Sequence, residues 1–300
     1  MDELIEGVTV DGEVPVLDGA RLITSRGMVG EIEPEERRIA YVRPLPPELA
    51  RRVEVERRLF DVRALLLETR LRRSAPVASA AAWLDSRRVD NHRLTEVAGR
   101  LPSLEGARVL ELGGSGEATR GFLRAGVRRV DQLDVSAGML RVARARLDAE
   151  EQTRVVQHLT FAERLPFADR TFDLVFTRHC LHHMDRAAVL PEVSRVIQEN
   201  GAFLVIEPYL PSLIKVATRA RRRLVRAERG TDDPLEPRDL AAIEARFEHV
   251  VVGGEPALAT LLRAGGPRLR RRAHQLDQRL PGSATRWIGG RLFLLAQRPR

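Results

Sequence analysis

A glycine-rich turn and an acidic residue one predicted strand further on form the part of the sequence best suited to binding a ligand. The turn consists of Gly113, Gly114, Ser115 and Gly116. Glycine lets a ligand approach the main chain, and a helix that begins after the turn offers free N–H groups at its first residues. Asp134 ends the next predicted strand, where a carboxylate can accept hydrogen bonds from both hydroxyls of a ribose. The pattern predicts a nucleoside-binding site.

Glu111, two residues before the turn, indicates which nucleoside the site would take. A dinucleotide site disfavours a carboxylate beside the pyrophosphate, because the two anions would repel each other. S-adenosylmethionine (SAM) carries a cationic amino group and no phosphate, so a site for SAM accepts such a residue. A glycine-rich turn alone is weak support, since many α/β proteins turn tightly at this place.

Three histidines, His179, His182 and His183, follow another predicted strand and are the candidates for proton transfer. A neutral imidazole can accept a proton from a hydroxyl group as that group attacks. We expect His179 to be the catalytic residue and His182 or His183 to be mainly structural. Cys180 is the single cysteine, and no carboxylate pattern accompanies the histidines, so no metal site is predicted.

Alternating strands and helices would position these residues. The predicted strands are 108–112, 129–134, one beginning at 155, 172–177, 202–206, 247–252 and 292–296. Helices predicted at 117–125, 137–147 and 186–198 follow the first, second and fourth of them, and this alternation is typical of a parallel sheet with helices on both faces. In such sheets ligands bind beyond the carboxyl ends of the strands, and both the glycine turn and Asp134 lie at such ends.

With these elements in order, residues 106–207 resemble a class I SAM-dependent methyltransferase of the group that includes the ubiquinone and menaquinone biosynthesis methyltransferases. The matching pieces are residues 111–116, 133–140, 162–175, 181–183 and 192–196. The resemblance implies a Rossmann-like, seven-stranded, mostly parallel sheet and SAM as the cofactor. The rest of the chain would add a small β segment at 1–46 and a helical cap at 47–105, with the methyltransferase-like domain at 106–300.

The resemblance also implies a role for individual residues. Glu111 and the glycine turn would hold the methionine part of SAM, and Asp134 would hold the ribose. Met139 would pack near the adenine, and Ala162 would meet the adenine edge through its main chain. The implied cofactor-binding set is completed by Val135, Glu163 and Arg178.

The charge pattern bears on the partners. The net charge is +8, with an acidic segment at 1–36 and a basic region at 215–300. Four arginines, Arg219, Arg222, Arg223 and Arg226, share one helical face, which is either solvated or binds an anion on the acceptor, the acidic segment or nucleic acid. Aromatic residues make up 4% of the chain and do not interleave these arginines, so nucleic acid is the less favoured partner.

The predicted function is methyl transfer from SAM to a small-molecule acceptor in secondary or cofactor metabolism. One alternative is a methyltransferase-like protein that has lost or repurposed methyl transfer. Another is an RNA methyltransferase, although no Asn-Pro-Pro-Tyr-like motif follows the fourth strand. No apolar run is long enough to span a membrane, and the acidic start Met1-Asp2-Glu3 does not resemble a secretion signal. A cytoplasmic location is therefore expected.

Overall fold

The computed structural model describes residues 16–18, 21–24, 27–33, 38–41, 47–71, 99–101, 103–114, 116, 118–211, 233–256 and 266–300. Its strands are β1 Val16–Asp18, β2 Arg21–Thr24, β3 Gly27–Glu33, β4 Arg38–Tyr41, β5 Arg108–Leu112, β6 Arg129–Asp134, β7 Val155–Leu159, β8 Phe172–Arg178, β9 Ile197–Tyr209, β10 Phe247–Pro256 and β11 Gly290–Pro299. Its α-helices are α1 Pro47–Leu71, α2 Thr119–Arg124, α3 Ala137–Arg144, α4 Ala149–Thr153, α5 Arg186–Val196, α6 Pro237–Glu244, α7 Gly266–Arg279 and α8 Thr285–Ile288.

All of these strands join one sheet in the order β1-β2-β3-β4-β7-β6-β5-β8-β9-β11-β10. The five central strands, in the sheet order β7-β6-β5-β8-β9, run parallel to one another. Strand β11 runs antiparallel to both β9 and β10. The predicted seven-stranded, mostly parallel sheet is thereby confirmed. The strands before residue 42 extend this sheet, because β4 pairs in parallel with β7. The three-part division of the chain stays a prediction.

The central strands are largely buried because helices cover both faces of the sheet. Every residue of β5 and of β6 is buried. One face packs around side chains that include Leu110, Phe172 and Phe203, and the opposite face packs around Val109 and Phe176. Each such fully buried side chain contributes roughly 1.5–3 kcal/mol of transfer free energy. This core holds the carboxyl ends of β5, β6 and β8 side by side.

A buried charged cluster interrupts the core beneath the site. Asp131 on β6 accepts hydrogen bonds from Arg108 at 2.9 Å and Arg129 at 2.8 Å, and its Oδ1 lies 2.8 Å from His158 Nε2. Burial alone would raise the pKa of Asp131, but His158 and the two guanidinium groups hold it well below its ordinary value. Removing one member would leave the others buried without their partner, which typically costs about 3–5 kcal/mol.

Helix α1 lies across α3, at the edge of the ligand-binding end of the sheet. Ala64 and Phe60 of α1 pack against Met139 and Val142 of α3 in a small apolar cluster. The approach is close at Gly138, where an added Cβ would lie 2.8 Å from Ala64 Cβ. Within the predicted helical cap, a helix forms over 47–71 and is fixed over the start of α3, while residues 72–98 lie outside the described residues.

Candidate functional site

The turn after β5 forms the floor of the candidate site. Gly113, Gly114 and Gly116 have φ values of +67°, +129° and +74°, which only glycine adopts without strain. A Cβ on Gly113 would lie 2.0 Å from Cys180 Sγ, and one on Gly116 would lie 2.9 Å from the main chain of Ala143. The space beside Gly113 and Gly116 is thus filled by Cys180 and Ala143, so the turn has no room for a side chain at either position. Ser115, the fourth predicted residue of the turn, lies outside the described residues.

Glu111 supports this turn from behind. Its Oε2 accepts hydrogen bonds from the Thr119 hydroxyl and, at 3.2 Å, from Gln132 Nε2. Its Oε1 lies 2.9 Å from the place where a Cβ on Gly114 would be. Glu111 is buried and is not among the residues that line the neighbouring cleft. The role predicted for it, contact with the methionine part of SAM, stays a prediction.

Asp134 lies at the carboxyl end of β6 and faces the same turn. Its Oδ1 accepts the Ser136 N–H at 2.8 Å, and its Oδ2 accepts the Gly114 N–H at 3.3 Å. Burial raises the pKa of Asp134 to about 7, and the nearby negative charge of Asp61 acts in the same direction. The carboxylate thus ties the two strand ends together and can change its charge near neutral pH.

A cleft opens between the strand ends and α1, with about 460 Å³ of empty space when the open solvent at its mouth is included. The sheet side contributes Gly113, Leu133, Asp134, Val135, Ala162 and Glu163. The loop after β8 contributes Cys180, His183 and Met184, and α1 contributes Arg52, Val53, Glu56 and Phe60. Five of the predicted cofactor-binding residues, Gly113, Asp134, Val135, Ala162 and Glu163, therefore meet in one cleft.

Helix α1 closes the cleft through contacts with His183. The Arg52 guanidinium donates to the His183 carbonyl at 3.1 and 2.7 Å. The Glu56 carboxylate lies 3.2 Å from His183 Nδ1, and the Phe60 ring meets the imidazole edge-on at 5.2 Å between centroids. These four residues connect parts of the chain more than 120 positions apart. No spacing in the sequence pointed to Arg52 or Glu56, whose only signal was their place on an amphipathic helix.

A second contact of α1 fixes the start of α3. Asp61 Oδ1 accepts a hydrogen bond from Ser136 Oγ at 2.5 Å and one from the Gly138 N–H at 3.4 Å. Ser136 Oγ in turn accepts the Met139 N–H and caps the helix. A carboxylate at this place also suits the positive end of the helix dipole. Helix α1, which covers the cleft and is called the lid helix below, is therefore anchored at both sides of the cleft.

The three histidines occupy different environments. His182 Nδ1 shares a 2.5 Å hydrogen bond with Glu207 Oε2, and both residues are buried. His179 reaches the surface, has a φ of +50° and is not among the residues that line the cleft. Partial burial, with Arg178 and Arg291 nearby, lowers the pKa of His179 to about 4. His183 is the histidine that lies beside the predicted cofactor-binding residues, and the catalytic role predicted for His179 stays a prediction.

The remaining predicted residues divide between cleft and core. Glu163 accepts the Asp185 N–H at 2.9 Å, and burial raises its pKa. Met139 packs beneath α1 rather than lining the cleft, and Arg178 ends β8 outside the lining set. The predicted arginine face at 219–226 lies outside the described residues. Within the described part of the chain, no group of three or more ligating side chains is placed to hold a metal ion.

Comparison with known protein families identifies the central part of the chain. Residues 110–205 match the family model "Methyltransferase domain". The chain carries a class I methyltransferase domain. The family and fold predicted from the sequence are thereby confirmed for this region. The methyltransferase domain includes the glycine turn, Asp134 and the histidine loop, whereas the lid helix α1 precedes it.

The matches to curated relatives cover part of this chain and part of each relative. The dimethylglycine N-methyltransferase of Parasynechococcus marenigrum is 37% identical over 120 residues, which cover 39% of this chain and 42% of that protein. The ubiquinone/menaquinone biosynthesis C-methyltransferase UbiE of Neisseria meningitidis is 38% identical over 107 residues, 34% of this chain and 43% of that protein. The chain thus spans less than half the length of these relatives.

A solved structure extends the likeness in fold. A chain in the complex between the Haloferax volcanii Trm112 methyltransferase activator and a methyltransferase superposes with a TM-score of 0.50 at 20% identity. The match covers 81% of this chain and 97% of that chain. At this identity the likeness concerns the fold alone, and it supports the α/β architecture described above.

Proposed function

We propose that the protein is an enzyme that transfers the methyl group of SAM to a small-molecule acceptor. The observation that carries the proposal is the cleft in which the glycine turn, Asp134 and Ala162 meet at the carboxyl ends of adjacent parallel strands. This is the edge of an α/β sheet at which ligands bind. The methyltransferase domain match supports the class of reaction.

The residues of the cleft fit SAM in shape and charge. Gly113 lines the cleft, where its main chain would face the aminoacyl group, and Asp134 is placed for the ribose. The cleft is lined by three carboxylates, those of Asp134, Glu163 and Glu56, and by one guanidinium group, that of Arg52. An excess of carboxylates suits a ligand with two cationic centres. When bound, SAM would supply a methyl group on a sulfonium, activated for displacement.

The chain's own residues would contribute orientation, exclusion of water and proton transfer. Phe60, Val53 and Met184 give the lid side of the cleft an apolar surface, which keeps water from the reacting atoms. Holding acceptor and methyl donor in line is the largest contribution expected of such a site. His183, beside Glu56, is the cleft residue best placed to accept a proton from the acceptor at its imidazole.

The acceptor is proposed at the level of its class. The relatives act, by their names, on dimethylglycine and in ubiquinone and menaquinone biosynthesis, which favours a small molecule over a nucleic acid. An anionic group on that molecule, a role in secondary or cofactor metabolism and a cytoplasmic location belong to the proposal on sequence grounds only. Whether oxygen, nitrogen or carbon receives the methyl group depends on the acceptor.

Titration calorimetry of the full chain with SAM and with S-adenosylhomocysteine tests the cofactor. We expect the wild type to bind both, and Asp134→Ala to bind more weakly by about 1.5–3 kcal/mol, the range for hydrogen bonds to a charged group. Asp169→Ala, which removes a carboxylate whose side chain is 73% exposed, should bind like the wild type. A wild type that binds neither ligand would refute the proposal.

A labelling experiment tests methyl transfer and the class of acceptor. The protein is incubated with SAM carrying a tritiated methyl group, together with a small-molecule extract or with total RNA. We expect label in the small-molecule fraction and none in RNA. SAM binding without transfer to either fraction would favour a methyltransferase-like protein with another role, and label in RNA would favour an RNA methyltransferase.

A further inference from the structure

Helices α7 and α8 carry large apolar side chains on the surface of the protein. Leu269 and Leu276 of α7 are 42% and 50% exposed, and Trp287 of α8 is 81% exposed. Both helices pack against β10, the strand at one edge of the sheet. Tryptophan rarely stays so exposed without a partner, since its large ring gains from leaving water. The α7–α8 surface, defined by these three residues and the arginines beside them, therefore requires an explanation.

The leucines of α7 form a row that runs beside a row of arginines. At about 100° per residue, Leu269 and Leu276 lie about 20° apart around the helix axis, and so do Arg272 and Arg279. Each leucine is followed three residues later by one of these arginines, so the two rows are neighbours. Ala273 and Asp277 are buried and mark the face that packs on the protein. The leucine and arginine rows thus lie on one exposed flank of the helix.

The charge of α7 is strongly positive. Its sequence contains five arginines, Arg268, Arg270, Arg271, Arg272 and Arg279, and its one acidic residue, Asp277, is buried. The exposed apolar residues of α1, Val55, Leu59 and Val62, have a different setting. There the arginines pair with acids of the same helix, as Arg57 and Arg58 do with Glu54. Only the α7–α8 surface combines exposed apolar side chains with unbalanced positive charge among the described helices.

We propose that the α7–α8 surface binds the surface of a lipid bilayer that carries anionic headgroups. The leucine row and Trp287 would enter the boundary between headgroups and acyl chains, and the arginine row would contact lipid phosphates. A basic helix with an apolar flank, and an exposed tryptophan on a helix that packs against the same strand, are features of proteins that lie in this interface. No helix in the described part of the chain could cross a membrane, so the binding would be peripheral.

The apolar residues favour a bilayer over nucleic acid as the partner. Nucleic acid would use the arginines for phosphate contacts but would gain little from Leu269 and Leu276. Stacking on bases requires several aromatic side chains, and Trp287 is the one aromatic residue in 266–300 apart from Phe293, which is buried in β11. A bilayer uses the apolar and the cationic groups together. This inference is independent of the proposed methyl transfer.

Co-sedimentation of the full chain with vesicles tests the proposal. Vesicles of phosphatidylcholine alone are compared with vesicles in which about a third of the lipid is phosphatidylglycerol. We expect binding to the anionic vesicles and little to the neutral ones. Arg268→Gln combined with Arg272→Gln and Arg279→Gln should weaken binding about 100-fold, since each basic residue near an anionic surface contributes about fivefold. Leu269→Ser combined with Leu276→Ser should weaken it at least tenfold.

Two controls make the result specific. Val55→Ser combined with Leu59→Ser removes exposed apolar side chains from α1 and should leave vesicle binding unchanged, and thermal melting checks that every variant is folded. The chain has two tryptophans, so in a Trp83→Phe variant the fluorescence reports on Trp287 alone. Brominated lipids should then quench that fluorescence on anionic vesicles.

Several outcomes would overturn the inference. They are absence of binding to anionic vesicles, equal binding to neutral vesicles, and full binding by the folded leucine variant. Retention of RNA that depends on the arginines but not on the leucines, without vesicle binding, would assign the surface to nucleic acid. A wild-type dimer that the leucine variant converts to a monomer, again without vesicle binding, would assign it to a second copy of the chain.

Discussion

The floor and the lid of the cleft are built in opposite ways. The floor is main chain: Gly113 and Gly116 leave no room for a side chain, and the Gly114 N–H reaches Asp134 directly. The lid is side chain: Arg52 and Glu56 reach across to His183 from a helix that precedes the methyltransferase domain. The floor therefore tolerates almost no substitution, whereas the lid can exchange its contacts without disturbing the sheet.

From this contrast we expect the floor to bind the cofactor and the lid to contact the acceptor. A main-chain floor presents the same N–H groups whatever the neighbouring side chains are, which suits a ligand that never changes. Side chains on a separate helix can vary in size and charge, which suits an acceptor that differs between related enzymes. Variants on the two sides should consequently differ in the size and the kind of their effects.

The largest effect is expected for Gly113→Ala. The new Cβ would lie 2.0 Å from Cys180 Sγ at a φ of +67°, which combines overpacking with backbone strain. We expect a loss of about 3 kcal/mol in the free energy of unfolding, measured by chemical denaturation, and loss of SAM binding.

Gly121→Ala is the matched control for that variant. Gly121 lies in α2, and no atom would come within 4 Å of an added Cβ. We expect a gain of roughly 0.5–1 kcal/mol in stability, because alanine favours a helix over glycine. If Gly113→Ala were as stable as the wild type, the view of the floor as rigid main chain would be wrong.

The second effect concerns the pH dependence of stability through Asp134. Its pKa is raised by burial to about 7 in the folded protein, from 3.8 in a solvated chain. The folded state thus binds more protons at this group than the unfolded state between these values, so the contribution of Asp134 to stability is greatest at low pH and is lost as pH rises through about 7. The decrease attributable to this group is on the order of 4 kcal/mol.

Asp134→Asn tests this assignment, since it removes the ionisation. We expect its melting temperature to change less than that of the wild type between pH 5 and pH 8, whatever its absolute value. Parallel curves for the two proteins would show that another group carries the pH dependence. The comparison is made without SAM, because a bound ligand would itself shift the proton affinity of Asp134.

A smaller effect is expected for Asp61→Asn in the lid. Asparagine can still accept hydrogen bonds from Ser136 Oγ and the Gly138 N–H, but it lacks the negative charge that helps to raise the pKa of Asp134. The pH midpoint of the stability change should therefore move to lower pH, with little loss of stability at pH 5. Glu54→Gln, on the exposed side of the same helix, should leave the midpoint unchanged.

The smallest effect is expected for His179→Ala. His179 reaches the surface and does not line the cleft, so SAM affinity measured by calorimetry should stay within about twofold of the wild type. His183→Ala removes the imidazole that faces Glu56 and Phe60, and it should weaken binding more. The reverse order would place the functional histidine where the sequence analysis placed it.

The floor was predictable because its determinants are local. The strand predicted at 108–112 is followed directly by glycines, and the strand predicted at 129–134 ends in Asp134. The structure places both features at adjacent strand ends. The lid was not predictable, because Arg52 and Glu56 contact His183 only in the folded protein and are separated from it by more than 120 residues in the sequence. The histidines show the same limit. The short 3₁₀ turn at Leu181–His183 determines which imidazole ring faces the cleft. The spacing of the histidines in the sequence does not predict this orientation.

The pairing of β4 with β7 has a consequence for how the chain acquires its structure. The partner residues, such as Arg38 and Gln157, are separated by more than 110 positions, and parallel pairing gives no local hairpin to bring them together. During synthesis β4 leaves the ribosome well before β7 exists, so its edge opposite β3 lacks its partner strand until β7 has been made. Pairings of such long range form slowly, since loop closure must precede the gain from contact. The part of the sheet that is made first is thus completed last.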